Sequence, residues 1–189
     1  MQKIISLFQR DYEGNRQVYN QVVPGAEWVL AGEGIATRKY DGTCVLIENG
    51  TMWKRYEVKP GKTPPPGFRP ANDVDEITGK QQGWLPVNAA DPADRWHVEA
   101  LWNDDADPSD YENGTYELVG PKIQGNPEGL DTHMLLRHGS SLLPGAPRNF
   151  VGIREYLTNV RIEGIVWHHP DGRMVKIKGR DFGIKRGAQ

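Results

Sequence analysis

The residues best suited to chemistry fall in four short stretches. The first is Lys39-Tyr40-Asp41-Gly42, set just ahead of the apolar run "TCVLIE". Alternate residues of an extended segment share a side, so Lys39 and Asp41 are expected to point the same way. Gly42 admits a close backbone approach or an unusual turn. A lysine amine becomes a nucleophile when it is uncharged or gives its proton to a partner, and desolvation or nearby cations favour that. The second is Glu117, which alternates with Tyr116 and Leu118 in "TYELVGPKIQGNP". The third is Glu163 in "RIEGIVWHH", a carboxylate followed by glycine at an apolar strand, where a lone charge is costly without a partner such as a metal or a lysine. The fourth is Lys176-Ile177-Lys178 in "RMVKIKG", with both lysines on one strand face and Val175, Ile177 and Gly179 on the other.

Taken one at a time, these are patterns that ordinary strand edges also produce. Taken together, they supply what attack on a nucleoside triphosphate needs. Lys39 is the amine, Glu117 a carboxylate able to accept from ribose hydroxyls, Glu163 a partner for a metal, and Lys176 and Lys178 cations for phosphate. The amine would attack the α-phosphorus, with Mg²⁺ (or Mn²⁺) neutralising the phosphates.

The elements that must hold these residues are mostly hairpins. "TCVLIE" and "TMWKRYEVK" read as strands joined by the Asn49-Gly50 turn. "TYELVG", "HMLLRH", "RIEGIVWHH" and "RMVKIKG" also read as strands, the last two joined by Pro170-Asp171-Gly172. "NFVGIREYLTN" predicts a helix with Asn149 as its cap. "DPADRWHVEALW" fits a short helix or a strand. The proline-rich stretch from Lys59 to Pro70 predicts a surface loop that carries Lys59, Lys62 and Arg69. "DDADPSDYENG" predicts a solvated turn, since its acids lack calcium-loop spacing. The pattern is that of an α+β fold with antiparallel sheets.

The totals limit the rest. A chain of 189 residues suits a single domain, here residues 1–189. The net charge of -2 means that nucleic-acid contact must come from local basic patches. Cys44 is the single cysteine, which fits a reducing, cytoplasmic compartment and reads as a packed residue. No stretch reads as a signal peptide or a membrane span. His97, His133, His138, His168 and His169 show no zinc-ligand spacing and read as ordinary polar histidines.

The ordered set "KYDG", "YELVG", "EGIVWH" and "KIK" resembles motifs I, III, IV and V of the covalent nucleotidyltransferase superfamily, which holds the ATP-dependent DNA and RNA ligases and the mRNA capping enzymes. The wording around them, including "GEGIATRKYDGTC" and "ELVGPKIQGNPEG", is most similar to a small RNA ligase family. The resemblance runs from about Glu33 to Lys178. It implies an α+β nucleotidyltransferase (ATP-grasp-like ligase) domain of antiparallel sheets flanked by helices. It also implies an ATP-dependent RNA ligase that seals 5′-phosphate and 3′-hydroxyl RNA ends through lysyl-AMP, with DNA as a further substrate class.

On that resemblance Lys39 is the adenylated nucleophile, and Asp41 orients it or holds the water shell of a metal. Glu117 contacts the ribose, and Glu163 holds a metal or Lys39 itself. Lys176 and Lys178 contact the α-phosphate. Arg55, in "WKRYE", takes a phosphate or nucleic-acid role. Phe150 and Leu136 are the candidates to stack on adenine. Thr43 and Cys44 stand where many ligases have an arginine shortly after the motif I glycine. Eleven residues follow Lys178, so no OB domain is expected, and Arg10 and Arg16 are candidates to orient pyrophosphate. Two other readings accompany this one. The first is a DNA ligase or GTP-using capping-type transferase. The second is a nucleotide- or nucleic-acid-binding module that keeps the fold without the chemistry. The sequence names no protein partner.

Overall fold

A computed structural model of the chain describes residues 4–185. The strands in chain order are β1 (Ile5–Ser6), β2 (Phe8–Arg10), β3 (Val18–Val22), β4 (Ile35–Lys39), β5 (Thr43–Glu48) and β6 (Thr51–Val58). They continue as β7 (Arg69–Pro70), β8 (Gln81–Pro86), β9 (Gly114–Val119), β10 (Met134–Arg137), β11 (Gly164–His168) and β12 (Met174–Lys178). The α-helices are α1 (Glu27–Leu30), α2 (Arg95–Asn103) and α3 (Phe150–Asn159). The fold is α+β, as the hairpin-rich sequence implies. No helix among the described residues is long and apolar enough to cross a membrane.

The described residues form two compact units. One is Asp41–His138 and the other combines residues 4–40 with 139–185.

The Asp41–His138 unit is built on a six-stranded antiparallel sheet of order β10-β9-β5-β6-β8-β7. Its central hairpin, β5-β6, turns at Asn49 and Gly50, both at positive φ as a tight two-residue turn requires. Strand alternation sends Val45, Ile47, Met52, Tyr116, Leu118 and Leu135 to one face, where Ala100 and Leu101 of α2 close the core. The "DPADRWHVEALW" segment is helical: the Asp91 carboxylate accepts from the Ala93 N–H and starts a 3₁₀ turn, Pro92–Asp94, that leads into α2. Within the proline-rich stretch, Arg69–Pro70 pairs with β8 at the sheet edge. An edge tolerates proline because the missing N–H costs no ladder bond.

The second unit carries a four-stranded sheet of order β1-β12-β11-β4 and the ribbon β2-β3. The β4-β11-β12 part is antiparallel, but β1 runs parallel to β12, so this sheet is mixed rather than purely antiparallel. Ala36, Ile165, Trp167, Val175 and Ile177 form one face of the sheet and pack with Leu7, Phe8, Ile153 and Leu157. Helix α3 is capped by Asn149, whose side chain accepts from the Gly152 N–H at 2.8 Å.

Candidate functional site

In the four-stranded sheet, the face opposite the core bears Lys39, Lys176 and Lys178. Lys39 ends β4, and Gly164 opens β11 directly opposite both Lys39 and Lys178. Glu163, one residue ahead of that row and outside the strand, reaches both lysines. Its Oε2 accepts from Lys39 Nζ at 2.6 Å, and its Oε1 pairs with Lys178 Nζ at 2.5 Å. Lys39 Nζ also donates to the Tyr40 carbonyl at 3.1 Å. Gly164 is needed here because an added Cβ would collide with the Ile177 carbonyl oxygen and force β12, and Lys178 with it, away.

The electrostatics follow from burial. The Glu163 side chain is 9% exposed. Burial opposes its ionisation, yet the adjoining Lys39 and Lys178 prevail and hold the carboxyl below its ordinary range. Lys176 shares the face two residues back on β12. Burial first, then repulsion from Lys178 and Lys39, pushes its ammonium down to about 8. Asp181, the other acid nearby, is already ion-paired with Arg10. Three lysines thus share one glutamate, and the excess positive charge suits a bound anion such as phosphate. Each oxygen of Glu163 is engaged by one lysine, and each keeps a further lone pair with which it could meet a cation.

A second cluster lies on the six-stranded sheet, again opposite the core. Glu117 is central in β9 and 7% exposed. Its Oε1 accepts from the Gly42 N–H at 2.9 Å, and its Oε2 meets His138 Nε2 at 2.8 Å. His138 Nδ1 meets Thr115 Oγ1 at 2.9 Å. A Cβ at Gly42 would collide with the Leu118 carbonyl oxygen, so only glycine lets this backbone approach Glu117. The Asp41 N–H donates to Glu128 Oε1 at 3.0 Å. Arg55 donates from Nε to Gln82 Oε1 at 3.2 Å and lies over the Trp84 ring at 5.0 Å. Its Nη1 is buried without a hydrogen-bond partner, and burial lowers the pKa of the guanidinium.

The "KYDG" motif divides between the units, with Lys39 in one and Asp41 and Gly42 in the other. Glu163 stands just before β11 rather than inside it. Phe150 lies edge-on to Phe8 at 5.0 Å and to Phe182 at 5.2 Å, against the core of its own unit. Leu136 sits on β10 opposite Glu117. Arg10 also donates to the Arg16 carbonyl at 2.7 Å. Sequence reasoning passed over His138 as an ordinary histidine. The usable signal was the alternation in "HMLLRH", which puts position 138 on the same face as Leu136.

The fold and these clusters define an α+β protein with a lysine–glutamate–lysine site on one sheet and a hydrogen-bonded glutamate on another. Comparison with known proteins narrows that class. The family model described as RNA ligase 1 matches residues 104–188, a stretch that includes Glu117, Glu163, Lys176 and Lys178. The chain is 26% identical to RNA ligase 1 of Pongo abelii and 25% identical to RNA ligase 1 of Mus musculus. Each alignment covers 79% of this chain and 67% of the relative. It is 28% identical to RNA ligase 1 of Danio rerio over 59% of this chain and 43% of that protein. These matches support an RNA ligase-family domain in the chain.

Proposed function

We propose that the chain is an ATP-dependent RNA ligase working through a lysyl-AMP intermediate. The observation that carries the reading is the ion pair of Lys39 with Glu163 on a face that also bears Lys176 and Lys178. Lys39 Nζ attacks the α-phosphorus of ATP, an N–P bond forms, and the bond to pyrophosphate breaks. AMP then passes from Lys39 to an RNA 5′-phosphate. A 3′-hydroxyl attacks that activated phosphate, and AMP departs. RNA ends are thus the proposed partners, with DNA ends a weaker substrate class. ATP is the proposed nucleotide, and a Mg²⁺ (or Mn²⁺) ion bound with it would neutralise phosphate charge.

The lysine–glutamate–lysine arrangement accounts for how the amine is readied. At rest Glu163 holds Lys39 in place as an ammonium. An arriving phosphate competes for Lys178 and Lys176. Once Lys178 turns to phosphate, Glu163 loses one of its two cations and becomes the more basic acceptor. The proton then moves from Lys39 Nζ to Glu163 Oε2, leaving a lone pair for attack. Glu117 accepts from a ribose hydroxyl in place of His138, and Asp41 positions the nucleophile's loop, as the family resemblance implies. Arg55 contributes a cation for phosphate or RNA.

Intact mass after incubation with ATP and Mg²⁺ tests this directly. The expected result is a gain of one AMP on the wild type and none on Lys39→Ala. Protein purified with AMP already attached would first lose it to pyrophosphate and then regain it. A wild type that binds ATP but forms no adduct after that treatment overturns the reading.

A further inference from the structure

Cys44, Glu117 and His138 come from distant parts of the sequence, yet three neighbouring strands bring them together. Cys44 in β5 is directly opposite Glu117 in β9, and Leu136 of β10 is opposite Glu117 on its other side. His138 follows two residues after Leu136, on the same face. The thiol sulfur, a carboxylate oxygen and an imidazole nitrogen all lie within 4.8 Å of one another.

We propose that these three side chains form a binding site for a divalent ion of the zinc class. Thiolate, imidazole and carboxylate together are a donor set that zinc accepts. Zinc–sulfur and zinc–nitrogen bonds of about 2.3 and 2.0 Å put tetrahedral donors about 3.3–3.8 Å apart. The 4.8 Å limit on the three separations encloses that range, and Glu117 Oε2 and His138 Nε2, now 2.8 Å apart, would have to part by about 0.5 Å to admit the ion. The fourth position stays open to water or another ligand.

The surroundings supply the outer hydrogen bonds that such ligands need. His138 Nδ1 is held by Thr115 Oγ1 at 2.9 Å, which leaves Nε2 as the nitrogen facing the cluster. Glu117 Oε1 is held by the Gly42 N–H, which leaves Oε2 as its inward oxygen. In the neutral ring, His138 Nε2–H donates to Glu117 Oε2, and Nδ1 accepts from the Thr115 hydroxyl. Metal binding reverses that tautomer: Nε2 gives up its proton to bind the ion, and Nδ1 takes one and donates to Thr115. The ring's proton count is unchanged. The Cys44 thiol loses one proton to solvent, so one proton is released per ion.

The site has one consequence that rests on the nucleotide reading. An ion held by Glu117 Oε2 removes that oxygen from the ribose, so metal and nucleotide exclude each other there.

Cobalt(II) provides a test independent of ligation, because a thiolate–cobalt bond gives a near-ultraviolet charge-transfer band. Cys44 is the single cysteine, so any such band reports on it. The purified full chain titrated with Co²⁺ should develop the band, and Zn²⁺ should bleach it. Cys44→Ser should abolish it. His138→Gln should weaken Co²⁺ binding at least tenfold, and Thr115→Val should weaken it about tenfold through the imidazole's lost partner. Circular dichroism of each variant verifies the fold. A folded wild type with no band overturns the site, as does a band of undiminished affinity in folded His138→Gln. If ATP forms no lysine adduct while the band and its variants behave as stated, the metal site stands and the ligase reading falls.

Discussion

The two sheets treat a buried glutamate in opposite ways. Glu163 is held by two ammonium groups, whereas Glu117 is held by a backbone N–H and a histidine. Both side chains are nearly excluded from water, at 9% exposure each. A buried carboxylate facing cations is held in its charged form for as long as both cations stay. One facing hydrogen-bond donors can trade a donor for another without a large change in charge. The first arrangement suits a site where charge must be placed before reaction. The second suits a site that exchanges ligands.

Removing the cationic arrangement should give the largest effects. Lys39→Ala should abolish the AMP adduct in intact-mass analysis while the protein stays folded, since Lys178 still compensates Glu163. An adduct persisting in that variant would place the nucleophile elsewhere. Glu163→Gln should slow adduct formation about 100-fold or more, because the proton acceptor for Lys39 is lost. It should also destabilise the fold by about 2–3 kcal/mol in chemical denaturation, since three lysines then crowd one face without compensation. The carboxyl of Glu163 is held below its ordinary value of 4.5 in the folded state. Its stabilisation is therefore present above pH 4.5 and disappears as pH falls through the lowered value. Stability of Glu163→Gln should lack that acid-side component; an unchanged acid profile would mean that the ion pairs contribute little.

The same contrast explains what the sequence could convey. Strands β5, β6, β9, β11 and β12 and helix α3 were legible because local pattern and turn chemistry agree there: Asn49-Gly50 fixes one hairpin and Asn149 one cap. Strand β8, "QQGWLP", was not, because glycine and proline mask its alternation and its pairing with β6 is a tertiary fact. The parallel pairing of β1 with β12 was hidden for a like reason: two residues carry no periodic signal. The lysine site was visible as residue types. Its organisation around Gly164 depends on strand register, which one chain read linearly does not display. The Glu117–His138 pair was missed because neither local spacing nor composition joins β9 to the residue after β10.

Changes to the hydrogen-bonded glutamate should be milder for the fold and should fall on nucleotide affinity. Glu117→Gln keeps the shape but offers one acceptor oxygen instead of two. It should cost about 1 kcal/mol of stability or less. The KM for ATP should rise roughly tenfold with a smaller change in kcat, since a ribose contact would be made in both ground and transition states. If kcat fell as steeply as in Glu163→Gln, the two glutamates would share one role and the contrast between the sheets would fail.

The smallest expected effect tests the phosphate-binding part of the cationic face. Lys176 is lowered to about 8 by burial and by its lysine neighbours Lys178 and Lys39, against the opposing pull of Glu163 and Asp181. A lysine depressed in the folded state binds fewer protons there than in the unfolded chain. Its penalty on folding is therefore present in full below pH 8 and relieved between about pH 8 and the ordinary 10.5. Phosphate binding has the reverse dependence, because it needs the ammonium. ATP affinity should decline as pH rises through 8, and nucleotide binding near that pH should take up protons. Lys176→Arg keeps the cation at every accessible pH and should flatten the decline by a few-fold at pH 9. Calorimetry in buffers of different ionisation enthalpy reads the proton uptake. A wild type with pH-independent ATP affinity from 7 to 9 would remove Lys176 from the phosphate site and leave Lys178 as the cation that phosphate draws away from Glu163.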